Sequence, residues 1–575
     1  MNVHLLPRRS EWAAATRRPA GDLLAGLVVG LVALPLALGF GVSSGMGAGA
    51  GLVTAIVAGV VAAVFGGSNL QVSGPTGAMT VVLVPIIARY GGDGVLVVGL
   101  LAGLILIGLA YAGLGRFIRY VPVSVVEGFT LGIAVIIALQ QVPAALGVHV
   151  HAEKAVALAA RAVAAWVDSP HWAALGLTGA VTALILLVTR FRPSLPIALL
   201  AVALATAANS ALGLHAETIG ALPSTLPAPS LPHIPWAHLD ALLLPAIAVA
   251  ALAALESLLS ATVADAMSVG QRHDPDRELF GQGLANLASP LFGGIPATAA
   301  IARTAVNVRA GASTRLAAVT HAIVLLLVML VASRWVADIP LAALAGVLIT
   351  TAGQMVRVSS VAALLRSTRG DAAVLVITAA ATILADLVTA VILGLVVAGA
   401  FALRQAALSA TLHEEPLDAG PLDASDHGDE ERALLDQQIV VYRLDGPLFF
   451  AAAHDFLLEL SEVSNVRVVV LRMSRISSID ATGAAVLADT ITRLEARGIT
   501  VLLSGVRAHQ EQVLASLGVY DQLASEHHLF DTTPEAIAHA RIHAARVAHV
   551  PDPDHLPHGP NGEAAHHPHS EREVS

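Results

Sequence analysis

The chain has 575 residues, of which 56% are hydrophobic and only 13% are charged, and its mean hydropathy is +0.74. Soluble globular proteins carry about 25% charged residues, so this composition excludes a soluble multidomain enzyme. A net charge of −10 without a basic patch excludes a nucleic-acid-binding protein. A membrane protein with an acidic soluble domain remains.

The predicted transmembrane domain covers residues 22–410 and follows a short N-terminal segment, residues 1–21, that is rich in arginine. The apolar run from Leu23 is too long for a signal peptide, which favours a retained first span. A span needs about 20 mostly apolar residues, and the third and tenth such segments start with polar, Gly and Pro residues. The fourteen predicted spans begin near residues 23, 47, 75, 93, 121, 172, 194, 240, 279, 298, 314, 339, 371 and 388.

The loops between these spans favour one orientation. With the N-terminus inside, the inner loops hold far more Arg and Lys than the outer loops, as the positive-inside rule requires. An even number of spans then places both termini in the cytoplasm. The proline-rich segment 213–238 contains no Lys or Arg, and we predict an extended outer loop there, between repeats of about 22–212 and 239–410.

One motif occurs in both repeats. Phe65-Gly66-Gly67 and Phe292-Gly293-Gly294 each end an apolar helix and precede a short stretch with Pro, Gly and Thr, after which a new helix begins. Interrupted helices at corresponding positions of two repeats indicate the substrate site of an inverted-repeat transporter. Two half-helices that begin at mid-membrane direct free N–H groups and positive dipole ends at one point, which favours an anion. The alternative is that both stretches are ordinary loops.

Two charged residues lie well inside predicted spans and are therefore candidate functional residues. Glu256 lies in the middle of LAALESLLSATVA, and Arg303 lies about one turn into the second interrupted helix. A planar guanidinium suits an oxyanion, whereas a buried carboxylate needs a partner or a proton. We expect Glu256 either to pair with Arg303 or to be protonated when the anion takes Arg303, which would couple transport to protons. The alternative is a static ion pair that only fixes packing.

The chain changes character after residue 410. An acidic linker, 411–437, precedes a region, 438–533, in which strands alternate with helices, including a helix over 447–463, and this order predicts a small α/β domain. Asp480 and Thr482 lie at a strand-to-helix junction, where an N-cap is expected. The tail, 534–575, is rich in histidine. Because its histidines have no regular spacing, we predict disorder there rather than a metal site. They include His549, His555, His558, His566, His567 and His569.

An ordered set of motifs resembles the sulfate permease (SulP) family, also called solute-carrier family 26, over about residues 20–530. The membrane motifs are DLLAGLVVGLVALPLALGFG (22–41), QVSGPTGA (71–78), GRFIRYVPVSVVEGF (115–129), ALESLLSATVADAMS (254–268), ELFGQGLANLASPLFGG (278–294) and ATAAIARTAVNVRAGA (297–312). In the C-terminal part of the chain, two motifs resemble the STAS domain that such transporters carry. They are GPLFFAAA (446–453) and SSIDATGAAVL (477–487).

The resemblance implies a polytopic α-helical membrane protein of fourteen spans, arranged as a seven-plus-seven inverted repeat with a core domain and a gate or scaffold domain. It also implies a cytoplasmic α/β STAS domain, a homodimer and an elevator movement. Carried over by position, residues of the first, third and tenth spans would bind the anion. They are Phe40, Thr76, Gly77, Ala299, Ala300, Ile301 and Arg303.

The resemblance also bears on the coupling ion. In the sodium–bicarbonate symporters of the family, an acidic residue that matches Glu256 binds sodium together with small residues of the tenth span. Here Arg303 replaces a small residue and Ile301 replaces a Thr ligand. A fixed Arg disfavours a neighbouring cation site, and a Glu/Arg pair is similar to that of proton-coupled sulfate transporters. We therefore assign Glu256 to proton coupling.

Together these features predict a secondary active transporter of sulfate or a related dianion, such as a C4-dicarboxylate, by proton symport in the inner or plasma membrane. The alternatives are bicarbonate transport, an uncoupled anion exchanger or channel, and a membrane-tethered signalling protein with the STAS domain as output. In relatives of STAS a Ser that matches Thr482 is phosphorylated, so Asp480 and Thr482 form a candidate regulatory site, and the domain could also bind a protein partner.

An enzyme is not expected. The chain has no cysteine, and its 23 histidines show no catalytic or metal-ligand spacing. We therefore expect no cofactor, no metal site and no nucleic-acid partner. The expected partners are the small anion, protons, the lipid bilayer and a second copy of the chain.

Overall fold

The structure is a computed structural model. It describes residues 5–7, 12, 19–152, 154–191, 197–233, 239–268, 271–385, 387–408, 411–415, 438–449 and 466–548. The chain forms two compact units, Met1–Ala398 and Gly399–Ser575. The boundary between them falls within the helix Leu387–Leu408.

The first unit is built from apolar helices, because a helix satisfies its own backbone N–H and C=O groups where water is absent. A short 3₁₀ helix, Gly115–Tyr120, joins the third and fourth of them. In chain order the helices are α1 (Pro19–Ser43), α2 (Ala48–Phe65), α3 (Gly77–Tyr111), α4 (Val123–Gln140), α5 (Val142–Leu146), α6 (Ala155–Asp168), α7 (Trp172–Phe191), α8 (Ile197–Ala211), α9 (Leu239–Met267), α10 (Pro275–Leu291), α11 (Ile301–Arg309), α12 (Leu316–Ala337), α13 (Leu341–Met355), α14 (Val358–Arg366), α15 (Arg369–Leu384) and α16 (Leu387–Leu408).

Every predicted span corresponds to helical structure. The third and fourth predicted spans both lie in α3, where Gly91 leaves the helical conformation at a φ of 69° and divides the element into two segments. A positive φ is accessible to glycine at no steric cost. Within the described ranges, nine helical stretches are long and apolar enough to cross a membrane. The chain is therefore a multi-pass membrane protein, and the count of fourteen crossings stays a prediction.

The two interrupted segments meet in a two-stranded antiparallel sheet. In this sheet β1 (Ser73–Gly74) pairs with β2 (Thr298–Ala299), so that Ser73 lies opposite Ala299 and Gly74 lies opposite Thr298. All four residues are buried. The helices α3 and α11 begin within three residues of these strands. The predicted interruptions are thus confirmed, and both stretches lie inside the unit rather than on its surface as ordinary loops.

Neighbouring helices enclose this small sheet. Helix α10 packs against α2 and α3, and α9 packs against α3 and α11. A Cβ atom added at Gly103 of α3 would lie 2.8 Å from the carbonyl oxygen of Gly283 of α10, and such small residues let membrane helices approach closely. One buried apolar cluster joins α3, α4, α9 and α10, and a second joins α1, α2, α7, α8, α12 and α13.

The second unit is an α/β domain around a five-stranded sheet in the order β3-β4-β5-β6-β7. The first pair is antiparallel and the other three are parallel. Apolar clusters cover both faces of the sheet, as parallel strands require. Its elements are β3 (Thr411–Glu415), β4 (Ile439–Leu448), β5 (Val468–Ile479), α17 (Ala481–Ala496), β6 (Thr500–Ser504), α18 (Ala508–Ser516), β7 (Leu529–Phe530) and α19 (Thr533–Ala548).

Two predicted boundaries in this part of the chain are wrong. Residues 411–415, assigned to the acidic linker, form the edge strand β3 and pair with β4. The tail assigned as disordered from residue 534 begins with α19, because Ala536, Ala540 and Ala544 lie four residues apart on one helix face and are fully buried on the sheet. Most of the helix predicted over 447–463, the rest of the linker and the tail from His549 onward lie outside the described residues.

Candidate functional site between two interrupted helices

The first interruption begins at Gly66 and Gly67, directly after α2. Glu278 of α10 accepts hydrogen bonds through Oε2 from the N–H groups of Gly67 and Ser68, at 2.8 and 3.2 Å. A Cβ atom at Gly67 would lie 2.0 Å from the carbonyl oxygen of Asp274, so a larger residue would push α10 away. The carboxylate thus accepts from backbone donors that lie beyond the end of α2 and have no partner within a helix.

Polar side chains of α9 and α10 hold the two-stranded sheet. Gln282 Nε2 donates to Ser73 Oγ at 2.6 Å. From the other side, Ser257 Oγ accepts the N–H of Ala299 at 3.2 Å and lies 2.9 Å from Thr298 Oγ1. Side-chain partners of this kind allow irregular backbone to persist at membrane depth.

The flanking backbone is satisfied in the same way. Asn286 of α10 bonds both polar groups of Ala297, donating to the carbonyl through Nδ2 and accepting the N–H through Oδ1, each at 2.8 Å. Asn307 of α11 donates through Nδ2 to the carbonyl of Leu70 at 2.8 Å. The interrupted segments of both repeats are therefore fixed by side chains of α9, α10 and α11, which all belong to the second repeat.

Helix α3 begins beside an aromatic ring. Thr76 is its N-cap, and the Thr76 Oγ1 atom accepts the N–H of Met79 at 3.4 Å. A Cβ atom added at Gly77 would lie 2.2 Å from Ile137 Cδ1 and 3.1 Å from Phe40 Cε1. A larger residue at the start of this half-helix would therefore displace the end of the Ile137 side chain, and Phe40 of α1 lies next to the same position.

Helix α11 begins at Ile301 and has no side-chain cap at Ala300. The N–H of Ala300 donates to the carbonyl of Val72 at 3.2 Å, whereas the first-turn N–H groups of a helix have no partner within it. The side chain of Ile301 is 41% exposed, so this end of the helix is open. An open helix N-terminus is suited to binding an anion.

Arg303 is the largest of the fully buried side chains, with 1% exposure. Its Nη2 atom donates to the carbonyl of Pro75 at 2.7 Å, which links the second interrupted segment to the end of the first. Its Nη1 atom is also buried but has no hydrogen-bond acceptor among the described residues. Buried polar atoms are nearly always paired, so a charged donor without an acceptor points to a partner supplied by a ligand.

Glu256 contacts the same short stretch from α9. It accepts a hydrogen bond from Thr76 Oγ1 at 2.9 Å. In the part of the chain that the structure describes, Glu256 and Arg303 form no ion pair, so the static pair considered above is absent. The carboxylate and the guanidinium instead flank the start of α3, one through Thr76 and the other through Pro75.

The structure brings most of the predicted site residues together. Thr76, Gly77 and Phe40 lie at the start of α3, Glu256 reaches Thr76, and Arg303 reaches the preceding residue. The remaining three continue from β2 into α11, where Ala299 is buried, Ala300 is the N-cap and Ile301 is exposed. That these residues bind an anion stays a prediction.

The polar residues that support the site are not among the predicted site residues. Those of α10 lie on one face, at spacings of three and four residues, and a polar stripe on an apolar helix is a recognisable signal. They are Glu278, Gln282, Asn286 and Ser289.

The candidate regulatory residues lie in the second unit, at the start of α17. Asp480 Oδ1 accepts the N–H of Gly483 at 2.7 Å, which confirms the predicted N-cap. Thr482 is exposed in the first turn of the same helix. A regulatory role for these two residues stays a prediction.

The apolar helices, and the two interrupted segments that pair in a small sheet beside the buried Arg303, define a polytopic membrane transporter. A model described as the Sulfate permease family matches residues 20–378, and one described as the STAS domain matches residues 433–536. The chain belongs to the sulfate permease family and carries a C-terminal STAS domain. It is therefore a transporter of small anions across a membrane and not an enzyme.

Individual relatives agree with this assignment. The chain is 34% identical over 476 residues to "Putative sulfate transporter YvdB" of Bacillus subtilis (strain 168), covering 81% of this chain and 87% of that protein. It is 30% identical over 493 residues to "Bicarbonate transporter BicA" of Synechocystis sp., covering 83% and 86%. A solved structure titled "The overall structure of SLC26A9" matches with a TM-score of 0.78 at 16% identity, over 94% of this chain and 93% of that one. The fold class expected from the resemblance, a polytopic α-helical transporter domain followed by a STAS domain, is confirmed, and the arrangement of fourteen spans as a seven-plus-seven repeat stays a prediction.

Proposed function

We propose that the protein moves a small dianion, sulfate or a C4-dicarboxylate, into the cell together with protons. The observation that carries this function is the Arg303 Nη1 donor, which is buried near the starts of two half-helices and has no acceptor among the residues that the structure describes. A dianion cannot enter a hydrocarbon environment unless fixed positive charge and hydrogen-bond donors replace its water. Arg303 and the two helix ends supply both.

The charge of the site favours a dianion. Each helix N-terminus is equivalent to roughly +0.5 elementary charge, so α3, α11 and Arg303 together contribute about two positive charges. When Glu256 is ionised it offsets one of them. The site then suits a dianion when Glu256 is protonated and a monoanion when it is not.

This difference provides the coupling. Two like unit charges about 6 Å apart repel by about 3 kcal/mol at an effective dielectric constant of about 20. A dianion therefore binds more favourably after Glu256 has taken up a proton, and the proton travels with the anion. Because Glu256 is bonded to Thr76 rather than to Arg303, it can change protonation without first breaking an ion pair.

Bicarbonate transport is the second candidate function. It is favoured by the 30% identity with the bicarbonate transporter BicA, and an ionised Glu256 would leave a site charge that suits a monoanion. Arg303 is an observation against bicarbonate transport. It occupies a position at which the sodium–bicarbonate symporters of the family have a small residue. An uncoupled exchanger or channel is distinguished by the absence of any proton dependence.

We further propose that transport follows an elevator movement in a homodimer. The polar contacts that fix the interrupted segments come from α9, α10 and α11, so these helices and α3 would move as one body against the scaffold helices. The proposed function also includes a plasma-membrane location with both termini in the cytoplasm. It further includes a STAS domain that is phosphorylated or binds a protein partner.

Uptake by proteoliposomes tests the function. Labelled sulfate, succinate and bicarbonate are supplied separately, each with and without an inward proton gradient, and each of these assays is run both without and with sodium. We expect sulfate or succinate to accumulate and the gradient to accelerate its uptake severalfold. Gradient-independent uptake of every anion, or sodium-dependent uptake of bicarbonate alone, would refute proton–dianion symport.

A further inference from the structure

Three histidines of the second unit surround one point. They are His528, at the end of the 3₁₀ turn before β7, and His539 and His543 of α19. One nitrogen from each lies within 4.8 Å of one nitrogen from each of the others. The ring centroid of His528 lies 5.7 Å from that of His539 and 5.1 Å from that of His543. The ring centroids of His539 and His543 are 4.9 Å apart.

The fold places these rings for a clear reason. Helix α19 buries Ala536, Ala540 and Ala544 against the sheet. His539 and His543 each precede one of these alanines, so they form an adjacent stripe at spacing i, i+4 along the edge of the buried face. This stripe meets the end of the sheet, where Phe530 of β7 lies 5.1 Å from the His539 ring.

His528 is the buried member of this cluster. Its side chain is 3% exposed, and its Nδ1 atom has no hydrogen-bond partner in the described part of the chain. A buried polar atom without a partner costs about 1–3 kcal/mol, which a ligand at this point would recover. Burial and the neighbouring imidazoles lower the pKa of His528 to about 4, so its ring is neutral at pH 7.

We infer that His528, His539 and His543 bind one divalent transition-metal ion of the zinc type. Two histidines at i, i+4 on a helix present both rings to one metal, and a third imidazole completes a His₃ set with an open fourth position. In a tetrahedral zinc site with bonds of about 2.0–2.1 Å, ligand nitrogens lie about 3.3 Å apart. Small rotations of the imidazoles within the 4.8 Å cluster reach that spacing.

The donor set selects the class of metal. Neutral imidazoles suit zinc, copper, nickel and cobalt, whereas magnesium and calcium prefer oxygen ligands. A bound ion would fasten α19 to the 3₁₀ turn Glu526–His528 that leads into β7, because its ligands come from both elements. This inference departs from the expectation that the chain, and its tail from residue 534 in particular, has no metal site, and it does not involve the irregular histidines from His549 onward. It is also independent of the proposed transport function.

Metal retention by the full-length protein tests the inference. The protein is prepared without an affinity tag, and the tail histidines are replaced by glutamine so that they cannot contribute. The parent variant is loaded with Zn²⁺, passed through a desalting column and assayed for bound zinc, and Co²⁺ replaces Zn²⁺ to report tetrahedral coordination by absorption. The replaced residues are His549, His555, His558, His566, His567 and His569.

The variants His539→Gln and His543→Gln remove single ligands from helix positions that are not fully buried. His509→Gln and His527→Gln remove exposed histidines of the same domain and serve as controls. We expect about one zinc per chain in the parent and in both controls. Loss of a ligand should weaken binding by at least about a hundredfold, more than the tenfold to hundredfold cost of losing a second-shell partner.

Zinc retained equally by parent, ligand variants and controls would overturn the inference, as would a parent that retains none. Circular dichroism of each variant shows whether the domain is still folded. If a ligand variant unfolds, the Co²⁺ spectrum of the parent decides instead. A tetrahedral imidazole spectrum supports the site, and an octahedral spectrum of loosely bound ion contradicts it.

Discussion

Within a buried site, the Nη2 atom of Arg303 is hydrogen-bonded to Pro75, whereas its Nη1 atom has no acceptor in the described ranges. Replacing it with glutamine retains a donor for Pro75 but removes the charge. Loss of one member of a buried, hydrogen-bonded charge pair costs about 2–5 kcal/mol, so Arg303→Gln should weaken anion affinity at least about thirtyfold. Sulfate binding by calorimetry measures this. Arg309→Gln, at the exposed end of the same helix, is the control and should bind normally, and normal binding by Arg303→Gln would contradict the assigned role.

Gly74 controls the position of that guanidinium. A Cβ atom at this residue would lie 2.5 Å from Arg303 Nη1, closer than van der Waals contact allows. Gly74→Ala should therefore displace Arg303 and reduce sulfate uptake by about ten- to a hundredfold, as misplacement of a binding group by about 1 Å can. Gly108→Ala adds the same methyl group to open space in α3 and should leave uptake unchanged. Equal uptake by both variants would show that the guanidinium position does not matter.

Glu256 is the residue to which proton coupling is assigned. Glu256→Gln mimics the protonated carboxyl, so the variant should still exchange internal for external sulfate while its net uptake no longer responds to a proton gradient. Asp240→Asn removes an exposed carboxylate from the first turn of the same helix and should preserve the response. Uptake assays at several gradients measure both variants, and unchanged proton dependence in Glu256→Gln would rule out the role.

At the scale of elements, the interrupted segments depend on the polar stripe of α10. Asn286→Leu leaves the buried N–H and C=O of Ala297 without partners. Each unpaired group costs about 1–3 kcal/mol, so the variant should lower thermal stability in detergent and reduce transport. Asn209 makes the same pair of bonds to Ala216 from a half-buried position. Asn209→Leu should lose less stability and keep transport, and the reverse ranking would contradict the supporting role of α10.

The interruptions were predictable because their cause is local. Phe-Gly-Gly followed by Pro, Gly and Thr ends a helix wherever it occurs, and a charge such as Arg303 is conspicuous in an apolar segment. The pairing of β1 with β2 was not predictable, because it joins residues that are far apart in sequence. Helix α19 was missed for a different reason, since its buried face is made of alanines that carry little hydrophobic signal.

At the scale of the whole molecule, scarcity of charge separates the two parts of the chain. In the first unit, Arg303 and Glu256 are the charged residues that contact the start of α3 from α11 and α9. The second unit carries a sheet with both faces covered, and it holds Thr482 and the histidine cluster. The proposed transport site and the candidate regulatory site therefore belong to different units of one chain.

The central claim is that a dianion and a proton cross together, and movement of protons driven by the anion tests it most directly. Proteoliposomes that contain a pH-sensitive dye receive external sulfate with no imposed gradient and no sodium. We predict internal acidification that follows sulfate entry and is absent from liposomes without protein. Sulfate entry with no change of internal pH would contradict the account.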